Sequence, residues 1–307
     1  MASFIDALTY SALLGLMGFG LTLIRRTTGV WNVAHGEVVT IGSYVALTAT
    51  SFLAHSPYFY LPLAFLVCAG VSGIIFLAGV EPIRAKGASS ILLLVVTIAI
   101  SLIMIAVINI YADYLQNVFH LSSKNFLFAR FDFTLLGQMG ILWAAWAALA
   151  ALTISYYLVL QHTRLGLALR ALAEQPTLAV VMGANVKSLS LLSWCLAGGA
   201  AGLAGCLFPM RFQCHPGVGT SMIATMFAVS IFGGIEKMYG PLLAGLVLGF
   251  AQIYGIDLLS SWVGPGVIPF KDLIPMIVLL LTLQFLPEGL SGFVGRSGFS
   301  AFASPFP

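Results

Sequence analysis

Apolar residues along this chain occur in long runs that short polar segments interrupt. A helix needs about 20 residues to cross a hydrocarbon core of about 30 Å. On that measure the sequence predicts nine crossings, the last three of them short. Eight crossings with one re-entrant segment is the alternative. The predicted crossings are Phe4–Ile24, Val33–Ala54, Tyr60–Val80, Ser90–Tyr111, Met139–Leu160, Ser188–Phe208, Val218–Ile235, Pro241–Asp257 and Leu273–Leu286.

The composition supports a membrane protein. Of the 307 residues, 60% are hydrophobic and 7% are charged, whereas soluble domains carry about 25% charged residues. We therefore expect an all-α polytopic helix bundle with 8–9 transmembrane helices, one of them re-entrant or broken. Residues 1–307 are predicted to form a single transmembrane domain. The net charge of +3 gives no support for nucleic-acid binding.

The basic residues between the crossings predict the orientation. With the N-terminus outside, nine of the 13 lysines and arginines lie in cytosolic segments and four lie outside. This bias follows the positive-inside rule, so we predict an outer N-terminus and a cytosolic C-terminus. The outer four are Lys124, Arg130, Arg211 and Lys271.

The N-terminal apolar run lacks the form of a cleaved signal peptide. Arg25 and Arg26 follow the run instead of preceding it, and Asp6 lies near its start. We expect a retained span. The four cysteines have no paired spacing, so we expect packing thiols; they are Cys68, Cys195, Cys206 and Cys214.

Small residues at helical spacing predict close contacts between the spans. Gly198 and Gly202 are four residues apart, as are Gly245 and Gly249. Such pairs allow the backbones of membrane helices to approach each other.

Two outward segments, Ala112–Gln138 and Ile256–Asp272, are longer than a connection requires. Both carry several aromatic residues, which are typical of the membrane interface. An aromatic belt and a docking surface for an extracytoplasmic partner are both compatible with this composition.

Ionisable residues are nearly absent from the predicted spans, because Glu81, Asp113 and Asp257 fall at span ends. Ion-coupled carriers usually keep a charged or titrating ligand within the bundle. The sequence therefore disfavours an ion-driven transporter. The five histidines have no metal-ligand spacing and no catalytic cluster is visible, so we predict neither a metal site nor an enzyme.

The segment Gln161–Lys187 is the longest basic interruption of the apolar runs. Leu165–Glu174 is predicted to be helical, and Pro176 ends that helix. A second short helix, Thr177–Met182, then ends at Gly183. Its apolar face has the form that docks into a groove of a cytosolic partner, although a helix resting on lipid headgroups is the alternative. The residues of this face are Leu178, Val181 and Met182.

The segment Gly29–Tyr44 is the second polar feature. Asn32 is predicted to cap the next helix, and Glu37 suits its positive end. Alternatively, Asn32, His35, Gly36 and Glu37 line a permeation path at a broken helix. Span hydroxyls are further candidates for the path, although each is also explained by a bond to its own helix; they are Thr97, Ser101, Thr225 and Ser230.

Four stretches resemble the LivH-type membrane permease of branched-chain amino acid ABC importers. They are Asn32–Glu37 with Ile41–Tyr44, Arg170–Glu174 with Ala179 and Met182–Gly183, Gly233–Ile235 with Gly240, Pro241 and Gly245, and Pro287–Gly292. The chain departs from the family pattern at Val33, Glu236 and Leu286, where phenylalanine, glycine and arginine are usual.

The resemblance implies one half of a membrane heterodimer with a LivM-type permease, in a bacterial inner membrane. Two cytosolic ATPase subunits, which bind ATP and Mg, and a periplasmic binding protein would complete the importer. Relatives of this kind also move urea, amides or small carboxylates. Arg170, Glu174, Leu178, Val181, Met182 and Gly183 would form the element that couples to the ATPase. A stand-alone channel or facilitator is the alternative from another class.

Overall fold

The structure is a computed structural model that describes residues 2–53, 55–135, 137–174, 184–235, 237–286 and 289–296. Within these ranges, eight helices are long and apolar enough to cross a membrane, and a ninth, Val218–Gly233, is shorter. The predicted all-α polytopic bundle is confirmed. Large apolar side chains face outward on these helices, as expected where lipid replaces water; Ile91 of the helix Ser90–Phe119, for example, is 75% exposed.

The helices follow one another through short turns and two π-helical segments, Ile75–Val80 and Ala251–Gly255. Strands Thr134–Leu135 and Gln138–Met139 form one small antiparallel hairpin. The α-helices are α1 (Ala2–Thr28), α2 (His35–Leu53), α3 (Leu61–Ile74), α4 (Glu81–Arg84), α5 (Ser90–Phe119), α6 (Gly140–His162), α7 (Arg164–Glu174), α8 (Val186–Leu207), α9 (Val218–Gly233), α10 (Gly240–Phe250), α11 (Ile256–Val263), α12 (Leu273–Phe285) and α13 (Gly289–Arg296).

The chain groups into two compact units: Leu23–Ile223, and Met1–Thr22 with Ala224–Pro307. In the first unit, α2, α3 and α8 pack through glycines. A Cβ at Gly42 would lie 2.7 Å from the carbonyl oxygen of Gly202, and one at Gly202 would lie 2.7 Å from the Cβ of Cys68. These backbones therefore touch directly, as the glycine spacing predicts.

A polar and aromatic cluster joins the segment that follows α3 to α8. The sequence predicts that this segment lies at the cytosolic side. Arg84 forms an ion pair of 2.8 Å with Glu81 and donates a hydrogen bond of 3.4 Å to Ser190. The rings of Phe76 and Trp194 lie 5.5 Å apart beside it. The start of α8 is thus tied to α4 and to the π-helical segment Ile75–Val80.

In the second unit, the start of α1 packs against α10. A Cβ at Gly245 would lie 2.7 Å from the backbone nitrogen of Gly15, and Ser11 donates a hydrogen bond of 3.2 Å to the Leu246 carbonyl. Gly249 also contacts Ser11 closely. The predicted close packing at Gly245 and Gly249 is confirmed.

The segment between α5 and α6 belongs to the first unit and packs against other parts of it. Tyr44 donates a hydrogen bond of 2.7 Å to the Ser123 carbonyl, and Phe126 and Cys214 exchange two backbone hydrogen bonds of 3.0 Å. The Asp132 carboxylate accepts hydrogen bonds from the Tyr58 hydroxyl at 2.6 Å and from the backbone nitrogen of Ile141 at 3.1 Å. These contacts order the first of the two predicted outer segments.

The prediction that Ile256–Asp272 is a long connection between two spans is wrong. Helix α11 continues to Val263, and Pro265–Asp272 is a 3₁₀ helix that leads into α12. Neither glycine nor proline occurs in Ile256–Val263. Gly264, at φ +109°, then makes the turn. The helical segment Gly240–Val263 is therefore longer than the crossing predicted to end at Asp257.

The four cysteines are free thiols, as the lack of paired spacing predicts. Cys68, Cys206 and Cys214 are buried. For Cys214, which lies outside the spans, burial raises the pKa of the thiol to about 12. The prediction of a single domain remains a prediction, since the two units are described separately.

Candidate functional site

The polar site is built around the turn that joins α1 to α2. Gly29, at φ +71°, ends α1, and its backbone nitrogen donates a hydrogen bond of 2.9 Å to the Arg25 carbonyl. The Arg25 guanidinium lies 4.8 Å from the centre of the Trp31 ring and also donates to the Gly29 carbonyl. This turn holds the chain that enters α2 in a fixed path.

Helix α5 supports one side of this turn. The Thr97 hydroxyl donates a hydrogen bond of 3.0 Å to the Trp31 carbonyl and accepts one of 3.2 Å from the Val33 nitrogen. Further along both helices, the hydroxyls of Thr48 and Tyr111 lie 2.8 Å apart, so α2 and α5 run parallel. At a rise of about 1.5 Å per residue, Thr97 lies roughly 10 Å from the start of α5. The start of α2 is therefore set well inside the length of α5.

The start of α9 contacts the start of α2 backbone to backbone. A Cβ on either Gly36 or Gly219 would collide with the carbonyl of the other residue. The Gly219 nitrogen donates a hydrogen bond of 2.9 Å to the Thr40 hydroxyl, and the Thr220 hydroxyl donates one of 2.7 Å to the Oε1 atom of Glu37. Both glycines are needed for this approach.

The Glu37 carboxylate is 1% exposed and lies against the first turn of α9. The Thr220 hydroxyl donates to its Oε1 atom there. Its second oxygen, Oε2, has no hydrogen-bond partner among the described residues. The same is true of both amide atoms of Asn32, which is fully buried.

Six of the eight predicted path residues lie in the first unit. His35 is fully buried, and Ser101 is buried four residues beyond Thr97 on α5. The Thr97 hydroxyl bonds both to its own helix, at the Leu94 carbonyl, and to the turn before α2. The six are Asn32, His35, Gly36, Glu37, Thr97 and Ser101.

Thr225 and Ser230, the other two predicted path residues, belong to the second unit and are buried. The Ser230 hydroxyl shares a hydrogen bond of 2.7 Å with that of Thr22. Ser230 therefore bonds to another helix of its unit, which the own-helix alternative did not anticipate.

The prediction that the Asn32 side chain caps α2 is wrong. Helix α2 begins three residues later, at His35, and it is the backbone carbonyl of Asn32 that accepts a hydrogen bond of 3.3 Å from the His35 nitrogen. The Asn32 amide makes no capping bond. Glu37 does lie in the first turn of α2, as predicted.

Sequence reasoning missed Thr40 and Thr220. Both are threonines in apolar helices, a pattern that packing alone explains. Thr220 lies 183 residues from Glu37 in the sequence, and the close glycine pair Gly36 and Gly219 brings the two together. Gly36 directly precedes Glu37, and Gly219 directly precedes Thr220. These two glycines were the available signal for the contact between Glu37 and Thr220.

The predicted helix Leu165–Glu174 is confirmed as α7, which begins one residue earlier at Arg164. Its buried residues Leu169 and Leu172 pack against Leu189 of α8. Leu165 and Leu167 are each 55% exposed. Arg170 is half-buried, and Glu174 is the last residue of the helix. The second predicted helix lies outside the described residues, as do Leu178, Val181, Met182 and Gly183.

The comparisons with known proteins agree on one family. A probable branched-chain amino acid transport permease protein LivH of Methanocaldococcus jannaschii is 38% identical over 93% of this chain and 90% of its own length. The high-affinity branched-chain amino acid transport permease BraD of Pseudomonas aeruginosa is 27% identical over 94% of both chains. The LivH protein of Escherichia coli K12 is 25% identical over the same shares. These relatives are transport permeases, and no solved structure matches the chain.

The sequence model of one family, "Branched-chain amino acid transport system / permease component", matches residues 3–283. That range includes nearly all of the described helices, from α1 into α12. This chain is a multi-pass membrane protein that belongs to the family of branched-chain amino acid transport permease components.

Proposed function

We propose that this chain is the transmembrane permease subunit of an ATP-driven importer and forms half of the path for branched-chain or related amino acids. The observation that carries the proposal is the likeness to a probable LivH permease over 93% of the chain. A periplasmic binding protein delivers the substrate, and a LivM-type permease supplies the other half of the path. ATP and Mg are bound by two cytosolic ATPase subunits and not by this chain.

The segment 161–187 is the proposed coupling element. Within its described part, α7 is anchored to α8 through Leu169, Leu172 and Leu189, while Leu165 and Leu167 remain exposed. A force applied to this segment would reach α8, because their apolar side chains are packed together. The proposed contacts to the ATPase are Arg170, Glu174, Leu178, Val181, Met182 and Gly183.

The proposed path includes the polar site at the start of α2. Glu37, Asn32 and Thr97 supply the buried polar groups there, and a zwitterion needs such groups within an apolar bundle. His35, Gly36 and Ser101 lie in the same unit. Thr225 and Ser230, which belong to the second unit, are also proposed path residues. The N-terminus is proposed to face outward and the C-terminus the cytosol of a bacterial inner membrane.

The test is reconstitution of the complete complex in proteoliposomes with its binding protein. We expect uptake of radiolabelled leucine that requires ATP inside and the binding protein outside, and that unlabelled isoleucine and valine compete. Uptake by this chain alone, without nucleotide, would overturn the proposal in favour of a facilitator. Competition by urea or a small carboxylate instead of isoleucine would replace the substrate class.

The coupling element is tested separately by Gly183→Pro. A proline here restricts the backbone where the sequence predicts a helix end. We expect the stimulated ATPase rate and leucine uptake to fall together by roughly tenfold, a loss typical of a misplaced functional segment. Lys86→Ala, at an exposed residue of the connection between α4 and α5, is the control and should retain both activities. Normal rates in Gly183→Pro would remove the coupling assignment.

A further inference from the structure

Glu37 is the one acidic residue that is buried among the described side chains. It lies within a helix that is apolar enough to cross a membrane, His35–Leu53. Ionisable groups at such positions are costly and usually mark a substrate or ion pathway. The near absence of charge from the predicted spans makes this carboxylate the exception that requires an explanation.

A structural role accounts for only one of its two oxygens. Oε1 accepts the Thr220 hydrogen bond, which joins α2 to the start of α9. A neutral amide oxygen could accept that same bond, so the contact with Thr220 requires neither the charge nor the second oxygen. Oε2 is buried without a hydrogen-bond partner among the described residues. A buried acceptor left in this condition is destabilising.

Asn32 provides an independent observation at the same turn. It is fully buried, and neither its amide oxygen nor its amide nitrogen has a hydrogen-bond partner among the described residues. The capping role that the sequence predicts is not performed by its side chain. Two buried polar side chains within one six-residue stretch, 32–37, thus keep unused hydrogen-bonding atoms.

The chemistry of these atoms selects the ligand. Two oxygen acceptors, one of them on a carboxylate, match an ammonium group, which carries three N–H donors. A calcium ion would need six to eight oxygen ligands, whereas Glu37 is the one buried carboxylate among the described residues. The surrounding helices are apolar, which suits a ligand with one small charged end and a hydrocarbon side chain.

We infer that Oε2 of Glu37 accepts a hydrogen bond from the ammonium group of the amino acid as it passes through the permease, with the Asn32 amide oxygen as a second acceptor. This inference rests on the proposed function. In the arrangement described, the Glu37 carboxylate is 1% exposed, and Thr220 at the start of α9 donates to its Oε1 atom. The ligand reaches Glu37 when the starts of α2 and α9 separate.

Two substitutions at Glu37 separate charge from structure in the reconstituted complex. Glu37→Gln keeps an oxygen that can accept from Thr220 but removes the charge, whereas Glu37→Asp keeps the charge and shortens the side chain. We expect leucine uptake to fall about tenfold in the glutamine variant, the size of one charge-assisted hydrogen bond, and by clearly less in the aspartate variant. The reverse order, or wild-type uptake in the glutamine variant, would overturn the inference.

Ser193→Ala is the matched control for a buried polar change, because that hydroxyl bonds only within its own helix in the contacts described, at 3.0 Å to the Leu189 carbonyl. It should leave uptake within twofold of wild type, so a tenfold loss there would attribute the loss in Glu37→Gln to general damage. Wild-type uptake of leucine is measured in the same preparation. If it fails, the proposed function fails; if it succeeds and Glu37→Gln is also normal, the inference alone fails.

A second readout bypasses the binding protein. The thermal unfolding midpoint of the complex is measured with leucine or with 2-hydroxy-4-methylpentanoate, which has the same skeleton without the ammonium group. Leucine should raise the midpoint of the wild-type complex more than that of Glu37→Gln. The hydroxy acid should not raise the wild-type midpoint more than that of the variant. Equal shifts in the two proteins, or equal shifts with the two ligands, would overturn the ammonium contact.

Discussion

The contact between α2 and α8 gives a prediction whose size follows from the structure. In Gly42→Ala, the new Cβ would lie 2.7 Å from the carbonyl oxygen of Gly202 and 2.9 Å from its Cα. Both are backbone atoms, so no side-chain rotation relieves the collision. Ordinary contacts of this kind begin near 3.4 Å, which means that the two helices must separate by about 0.7 Å.

That separation also affects the next residue. The Ser43 hydroxyl donates a hydrogen bond of 2.7 Å to the Gly205 carbonyl across the same interface. A shift of about 0.7 Å would lengthen it to the limit of a hydrogen bond. Overpacking costs about 1–3 kcal/mol, and a lost interhelical hydrogen bond in a membrane costs about 0.6 kcal/mol. We therefore expect a loss of about 2–3 kcal/mol in the free energy of unfolding.

The assay is thermal unfolding of the detergent-solubilised complex, followed by intrinsic fluorescence. The expected loss corresponds to a midpoint lower by roughly 4–8 °C. Gly70→Ala is the matched control, because Gly70 is an exposed residue of α3 with no atom within 4 Å of an added Cβ. Equal midpoints for Gly42→Ala and Gly70→Ala would refute the claim that these backbones are in direct contact.

Three further predictions concern polar groups elsewhere. Arg84→Gln removes an ion pair and the contact with α8, so the unfolding midpoint should fall by a few degrees, whereas Lys86→Gln, at an exposed site, should not change it. Asp132→Ala removes the acceptor that joins the outer segment to the 3₁₀ helix Pro57–Tyr60 and to α6, so proteolysis of that segment should accelerate severalfold, and unchanged cleavage would contradict its role. The Cys214 thiol, with its pKa raised to about 12, should remain neutral between pH 7 and 9. Maleimide labelling of native protein should therefore show no rise at this residue across that range, and a rise comparable to that in denatured protein would contradict its burial.

Most of the fold could be predicted from the sequence because hydrophobic length sets the crossings in a membrane. The eight long helices and the short α9 correspond to the nine apolar runs. The error at Ile256–Asp272 has a physical cause: aromatic and polar residues made the segment resemble a loop, yet its backbone carries no helix breaker before Gly264. Composition alone does not decide where a helix ends.

The site could be predicted in part. The stretch 32–37 was recognisable by its polar residues within an apolar region, and Glu37 lies where a helix start was expected. The partner of Glu37 was not recognisable, because Thr220 is 183 residues away and its hydroxyl has the same pattern as a packing threonine. The role of Asn32 was misjudged because capping depends on where α2 begins, and a shift of two or three residues changes which side chain can cap.

Helix α2 makes close backbone contacts with α8 and with the start of α9, and the chemistry of the two differs in a way that matters for transport. At Gly42 and Gly202 the backbones touch beside the hydrogen bond of 2.7 Å that Ser43 donates to the Gly205 carbonyl. At Gly36 and Gly219 the backbones touch beside a carboxylate of which one oxygen has no hydrogen-bond partner among the described residues. On the proposed role of Glu37, an ammonium group stabilises the separated form of the second contact and offers nothing to the first. A ligand shifts an equilibrium only by its differential affinity for the two states. The start of α2 should therefore move relative to α9 during transport while its middle stays fixed on α8.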